Sequence, residues 1–298
     1  MSVLRVLGLG LFLALAALTR PAFADWDQAL ADYEAGHFEA ALAQLLPLAE
    51  AGNVDALEIV ADMYSYGQGV KADRTEALKW SRRAAALGSA EGENDLGVAY
   101  STGEGGLDKS DAESLRWFKL AAGHGNAKAQ ISLSRRYLYG TDGVEQDIGL
   151  GLQYLFAAAD ANNPRALSSL AQFTAAGLFG LNADMREAVR LYERAAELRY
   201  APAQVELAYA YGQGRGVARD RVKAAMWLTV AAKARCIRAA QVYEAWRRSS
   251  LLPGEVEAAQ RMAEAWERAH PPAQRRNAND LQSASGCEPL SQFGSVGI

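Results

Sequence analysis

The stretch MYSYGQGVKADRTEALKWSRRAAALG, Met63 to Gly88, holds the grammar of the whole chain. An apolar run ends in tyrosine. A short loop with two glycines follows, then an acid, a tryptophan, an Ala-Ala pair and a closing glycine. The phrase returns: its first loop glycines are Gly67, Gly103, Gly140, Gly177 and Gly214, spaced by 36, 37, 37 and 37 residues. Self-similarity at such a period marks stacked helical units, none of which can bury its apolar face alone. The expected fold is all-α, a right-handed α-solenoid of stacked antiparallel helix pairs.

Aligned on the glycines, the first helix of each pair has a core position at Val60, Leu96, Leu133, Leu170 and Leu207. A small residue comes next (Ala61, Gly97, Ser134, Ala171, Ala208). Three positions further on stand Tyr64, Tyr100, Tyr137, Thr174 and Tyr211, on the same helical face. The first loop glycine fits a left-handed position just past a helix C-terminus. None of these loops carries a lysine-threonine ending or follows a strand pattern, so they are not phosphate cradles. The second helix opens on Asp73, Ser110, Asp147, Asp184 or Asp220. Glu76, Glu113 and Glu187 stand at capping-box spacing from three of these caps. Inside it, Trp80, Trp117, Tyr154, Leu191 and Trp227 are each followed one turn later by Ala-Ala. Large residues thus alternate with small ones, as close helix packing requires.

The pattern L-G-x-x-Y-x-x-G-x-G-V, a capping acid, W, then A-A-x-x-G resembles the Sel-one-like repeat family, a relative of the tetratricopeptide repeats. LGVAYSTGEGG (Leu96 to Gly106) and the stretch quoted above carry the likeness best, and it spans Trp26 to Arg235. The units fall at 54–89, 90–126, 127–163, 164–200 and 201–236. A capping half-repeat at 25–53 precedes them; capping helices at 237–270 and a flexible tail at 271–298 follow. Thr174 and Leu181 depart from the pattern. The resemblance implies a protein that binds other proteins in assembly, envelope signalling or host contact. It also brings an alternative, because some cysteine-rich relatives bind or hydrolyse β-lactams. Those carry a cysteine pair in each repeat, and none of the five repeats here has one. Binding of peptidoglycan or an exopolysaccharide is a further alternative.

Residues Met1 to Ala24 read as a signal peptide: Arg5, the apolar run Val6 to Leu18, and Ala22-Phe23-Ala24 before a cut between Ala24 and Asp25. That run is too short for a membrane span, which needs about 20 residues. The expected location is periplasmic or secreted, with no stable membrane insertion after cleavage. Without Met1 to Ala24, which holds Arg5 and Arg20 and no acid, 29 basic and 35 acidic residues remain, a net charge near −6. Nucleic acid requires a basic footprint and is not an expected partner. An oxidising compartment permits a disulfide between Cys236 and Cys287. Spacing does not fix their distance, so two unpaired thiols stay open. His37, His124 and His270 lie far apart in sequence and show no metal-ligand spacing. No serine sits in a Gly-x-Ser-x-Gly turn. No catalytic, cofactor or metal site is expected.

A solenoid of helix pairs offers a concave face, taken here to be lined by the first helices. Offsets of −5, −2, +2 and +5 from each core residue should leave the core stripe. They place Asp55, Glu58, Asp62 and Glu91 at one end of the face, then Lys128, Ile131, Arg135, Leu138, Arg165, Val205 and Tyr209. The face is thus acidic first and mixed apolar-basic afterwards. Ile131, Leu138, Val205 and Tyr209 are expected as exposed anchors, with charge complementarity orienting a bound polypeptide. The competing reading is a solvated face that only keeps the array soluble. The function expected is that of an exported, non-enzymatic interaction scaffold for another protein or peptide of the cell envelope.

Overall fold

Every repeat phrase becomes a helical hairpin. The computed structural model describes residues 25–234, 236–249 and 251–271; the signal-peptide reading, Cys287 and the sequence from Pro272 on fall outside the described residues. The first pair is α1 (Trp26–Ala35) and α2 (Phe38–Glu50). Then come α3 (Val54–Tyr66) with α4 (Arg74–Ala86), α5 (Ala90–Thr102) with α6 (Asp111–Gly123), and α7 (Ala127–Tyr139) with α8 (Ile148–Asp160). They are followed by α9 (Pro164–Ala176) with α10 (Met185–Glu197), α11 (Ala201–Gln213) with α12 (Arg221–Lys233), and finally α13 (Ile237–Ser249) and α14 (Pro253–Ala269). No strand occurs among the described residues. Each helix from α1 to α13 packs on its neighbours in sequence, whereas α14 packs back onto α12. The chain is a solenoid of paired helices.

The core follows the 37-residue step. Val60, Leu96, Leu133, Leu170 and Leu207 are all buried, and the small residue beside them serves close approach. A Cβ at Gly97 would stand 2.6 Å from the Phe118 ring, so α5 and α6 meet there only without a side chain. The second loop glycine has a tertiary reason as well. A Cβ at Gly69 would stand 2.5 Å from the Phe38 carbonyl carbon, and one at Gly216 would stand 2.4 Å from the Met185 carbonyl oxygen. These two loops rest on the start of the preceding second helix, backbone against backbone.

The expected capping boxes form by half. Asp73, Ser110 and Asp184 accept from backbone N–H groups in the first turn of their helices. Their own N–H groups donate not to the glutamate but to carbonyls of the first helix: Asp73 to Tyr64 at 2.8 Å, Ser110 to Tyr100 at 2.8 Å and Asp184 to Thr174 at 3.0 Å. Asp147 and Asp220 do likewise, to Tyr137 and Tyr211. The tyrosine position is therefore also where the returning chain is tied to the first helix. Glu76, Glu113 and Glu187, released from the cap, pair with Lys79, Arg116 and Arg190 one turn on.

The closing glycine of each phrase is left-handed at Gly52, Gly88 and Gly125; Asn162 and Arg199 take the same conformation. For Arg199 the strain is offset by contacts. Its guanidinium lies 5.3 Å from the Trp266 ring centroid and donates to the His270 carbonyl. The last helix is thereby fastened to the turn between α10 and α11.

Candidate protein-interaction face

The first helices are set by their N-caps, and two of the caps also bind across to a neighbouring repeat. Ser89 Oγ accepts from the Gly92 N–H at 2.9 Å and donates to Glu58 on α3. Asn126 Oδ1 accepts from the Ala129 N–H at 2.9 Å, while its Nδ2 donates to Glu91 Oε2 at 3.0 Å. Lys128 Nζ meets the other Glu91 oxygen at 2.6 Å, and Ser81 Oγ donates to Asp95 Oδ2 at 2.9 Å. Carboxylates of α3 and α5 thus gather around a single lysine of α7.

Their proton affinities follow from this crowding. Burial, then the charges of Asp95 and Glu91, push the Asp62 carboxyl up to about 8. Burial and the Glu91 charge push Asp95 up as well. Glu58 rises through burial, although the Ser89 hydroxyl pulls the other way. For Lys128, burial disfavours the ammonium, but the charge and hydrogen bond of Glu91 outweigh it and raise its pKa.

The sequence-derived residues do not form one face. Asp55, Glu58, Asp62, Glu91 and Lys128 do come together, with Asp55 and Lys128 exposed and Asp62 only 8% exposed. Arg135 and Arg165 are exposed, and Ile131 and Tyr209 are partly buried against the core. Leu138 and Val205, expected as exposed anchors, are core residues at 1% and 2% exposure. The single-stripe reading was too narrow because a first helix packs against its own second helix and the preceding one together. Leu138 enters the space that Gly151 leaves on α8, where a Cβ would stand 2.7 Å from its Cγ.

The chain matches the Sel1 repeat family over residues 54–89, 90–126, 127–163, 164–200 and 201–235. It belongs to the Sel1 repeat family. A Sel1 repeat protein from Oxalobacter formigenes is similar at 26% identity and a TM-score of 0.61, over 80% of this chain and 95% of that one. The immunity protein Pa5087 from Pseudomonas aeruginosa is 18% identical with a TM-score of 0.52, over 69% of this chain and 81% of that one. PA5086 from the same organism is 19% identical with a TM-score of 0.51, over 85% and 92%. The two Pseudomonas likenesses show the fold alone. No curated protein matches at a significant level. Sel1 repeats typically mediate protein–protein interaction, and the family is generally non-catalytic.

At the other end of the Sel1 array, Glu206 on α11 is raised by burial, with Arg238 and Arg215 pulling it back down. Arg238 Nη1 lies 3.9 Å from its carboxylate. Tyr209 meets Trp246 edge to face at 6.5 Å between centroids, with the Arg238 guanidinium 5.8 Å from its ring. Tyr209 therefore belongs to the junction with α13. The offsets used on the sequence passed over Asp95 and Glu206, one residue before the core leucines Leu96 and Leu207. Arg136 was passed over too: it is buried, donates to Ser114 Oγ at 2.8 Å and pairs with Asp142 at 3.2 Å. Among the described residues, no group of three or more His, Cys, Asp or Glu is arranged to hold a metal. No described helix is long and apolar enough to cross a membrane.

Proposed function

We propose that this Sel1 repeat protein is an exported, non-enzymatic scaffold that binds a polypeptide of the cell envelope through its first-helix face. Its acidic end receives a basic segment of that partner. One observation carries the reading: Glu58, Asp62, Glu91 and Asp95 share a single lysine across three repeats. A partner lysine or arginine brought to this place supplies the missing charge and favours the ionised carboxylates. Export rests on the signal-peptide reading of Met1 to Ala24. Crosslinking mass spectrometry in the native host, with wild type beside Glu58→Lys/Glu91→Lys, tests it. The wild type should yield a partner whose crosslinked peptide is basic, and the variant should lose it. Equal capture by both, or turnover of nitrocefin or peptidoglycan by the purified chain, would overturn the reading.

A further inference from the structure

The two loop glycines are two residues apart at Gly67/Gly69, Gly103/Gly105 and Gly214/Gly216, but three apart at Gly140/Gly143 and Gly177/Gly180. Where the spacing is two, the second glycine lies on the start of the preceding second helix. A Cβ there would crowd the backbone of Phe38, Arg74 or Met185. Where the spacing is three, that contact is gone. A Cβ at Gly143 would reach only the Asp111 Cβ, at 3.8 Å, and one at Gly180 would meet nothing within 4 Å. The longer loops are held in this raised position. Asp142 and Phe179 stand at the same place in the two loops, and both take left-handed angles. Phe179 packs on Phe173 and Tyr139, whereas Asp142 pairs with the buried Arg136.

Two raised loops in succession leave the starts of α6 and α8 without the cover that α2, α4 and α10 receive. A cleft of about 670 Å³ opens there. Its apolar walls are Leu115 of α6, Tyr137 of α7, Val144 of the loop and Ile148 at the head of α8, which is 40% exposed. Its polar wall is Glu145 and Asp147. Asp147 Oδ1 accepts from the Leu150 N–H as the cap of α8, while Glu145 is exposed and enters no ion pair among the described residues. The lining thus holds two carboxylates and no cation. Lys119 stands 5.9 Å from the Tyr137 ring centroid without lining the cleft.

We propose that this cleft is a second docking site, at the loop edge of the array, for an arginine side chain of a partner polypeptide. The aliphatic stem lies along Leu115, Val144 and Ile148, and the guanidinium donates to Glu145 at the rim. A purely apolar side chain would leave the two carboxylates unanswered, and an acidic one would meet repulsion. The site rests on the scaffold reading only in taking its occupant from a polypeptide. It is separate from the junction of Glu91 and Lys128: Tyr137 lies nine residues beyond Lys128 on α7, about 13 Å at 1.5 Å per residue. The two longer loops therefore have a consequence that the regular repeat lacks, one opening in an otherwise covered edge.

The experiment titrates the methyl-labelled full chain with N-acetyl-arginine amide and with its neutral isostere, N-acetyl-citrulline amide, and follows methyl chemical shifts. The methyls of Leu115, Val144 and Ile148 should shift and saturate with the arginine amide, with a Kd of about 1–10 mM. The citrulline amide should bind at least about fivefold more weakly. Glu145→Gln changes an exposed side chain and should bring the arginine amide to the citrulline level. Ile148→Trp fills the cleft and should abolish both titrations. Equal binding of the two amides, no saturating shift at these three residues, or undiminished arginine binding by Glu145→Gln would each overturn the proposal. Arginine amide held at the acidic junction registers instead at the methyls of Ile59 and Val98 and is lost in Glu58→Lys/Glu91→Lys. The cleft signals should be unchanged in that variant, so the cleft and the junction fail separately.

Discussion

Asp95 and Glu206 occupy the same place in two repeats, one residue before the core leucine of the first helix, and their surroundings differ in sign. Both carboxyls are pushed up by burial. Beside Glu206 stand two arginines, one of them Arg238 from the next first helix, which draw its proton affinity back down. Beside Asp95 stand Glu91 and Glu58, which drive it further up, against the Ser81 hydroxyl and a single cation, Lys128 from the next first helix. One repeat geometry thus makes a charge-matched junction near the C-terminal end and a proton-holding, charge-starved one near the N-terminal end. A solenoid fixes the positions that face each other; the residues placed there decide whether a junction is finished within the chain or left to a cation from outside.

The largest expected effect is at the matched junction, where apolar packing dominates. A Cβ at Gly212 would stand 2.1 Å from the Trp246 ring, and Tyr209 meets that ring edge to face. Trp246→Ala should cost about 3 kcal/mol of cap stability. Native-state hydrogen exchange over 237–249 reads it, and a loss spread evenly over all repeats would contradict a junction held locally. Next comes Lys128→Ala at the starved junction, which leaves its carboxylates without their ammonium. The expected loss is about 2 kcal/mol at pH 8 and less at pH 5, where Asp62 and Asp95 hold their protons. Urea melts at the two pH values check it; equal losses would mean that Lys128 acts by packing alone.

Asp62 should show a smaller effect of opposite sign. Its carboxyl is ordinary in the unfolded chain, with a pKa near 3.8, and raised to about 8 in the fold. Between those values the folded state holds a proton that the unfolded state has released, so its stability falls as pH rises from about 4 to about 8 and levels off above. Asp62→Asn, which keeps shape and loses the charge, should stabilise the chain by roughly 1–2 kcal/mol at pH 8 and change little at pH 4. A variant that melts below wild type at pH 8 would show that Asp62 is held ionised by contacts stronger than its burial.

These contrasts also show what the sequence could and could not tell. The 37-residue step placed every core leucine correctly because burial recurs with the period and needs no knowledge of neighbours. It missed Leu138 and Val205 because their burial depends on where the flanking second helices lie, and on Gly151 leaving room. The half-formed capping boxes have a similar cause: the cap N–H finds a carbonyl of the first helix, a partner that local spacing does not contain. Asp95 and Glu206 did leave a signal. A carboxylate directly before a buried leucine points near the core, and the residue facing it lies one repeat on, at Lys128 and Arg238. Comparing that diagonal across the units distinguishes starved from matched junctions without coordinates.

The smallest expected effect sharpens the comparison most. Arg238 occupies the place of Lys128, but its guanidinium lies 3.9 Å from Glu206 with both side chains partly exposed. Exposed pairs at such separations are worth about 0–1 kcal/mol. Arg215 remains beside Glu206 when Arg238 is removed. Arg238→Ala should therefore cost less than about 1 kcal/mol and bring little new pH dependence between 5 and 8. The double-mutant cycle of Arg238→Ala with Glu206→Gln should return a coupling within the error of a denaturant melt, whereas Lys128→Ala with Glu91→Gln should return a coupling above it. If the two cycles agreed, the junctions would be electrostatically alike, and the acidic end would have no special claim on a basic partner.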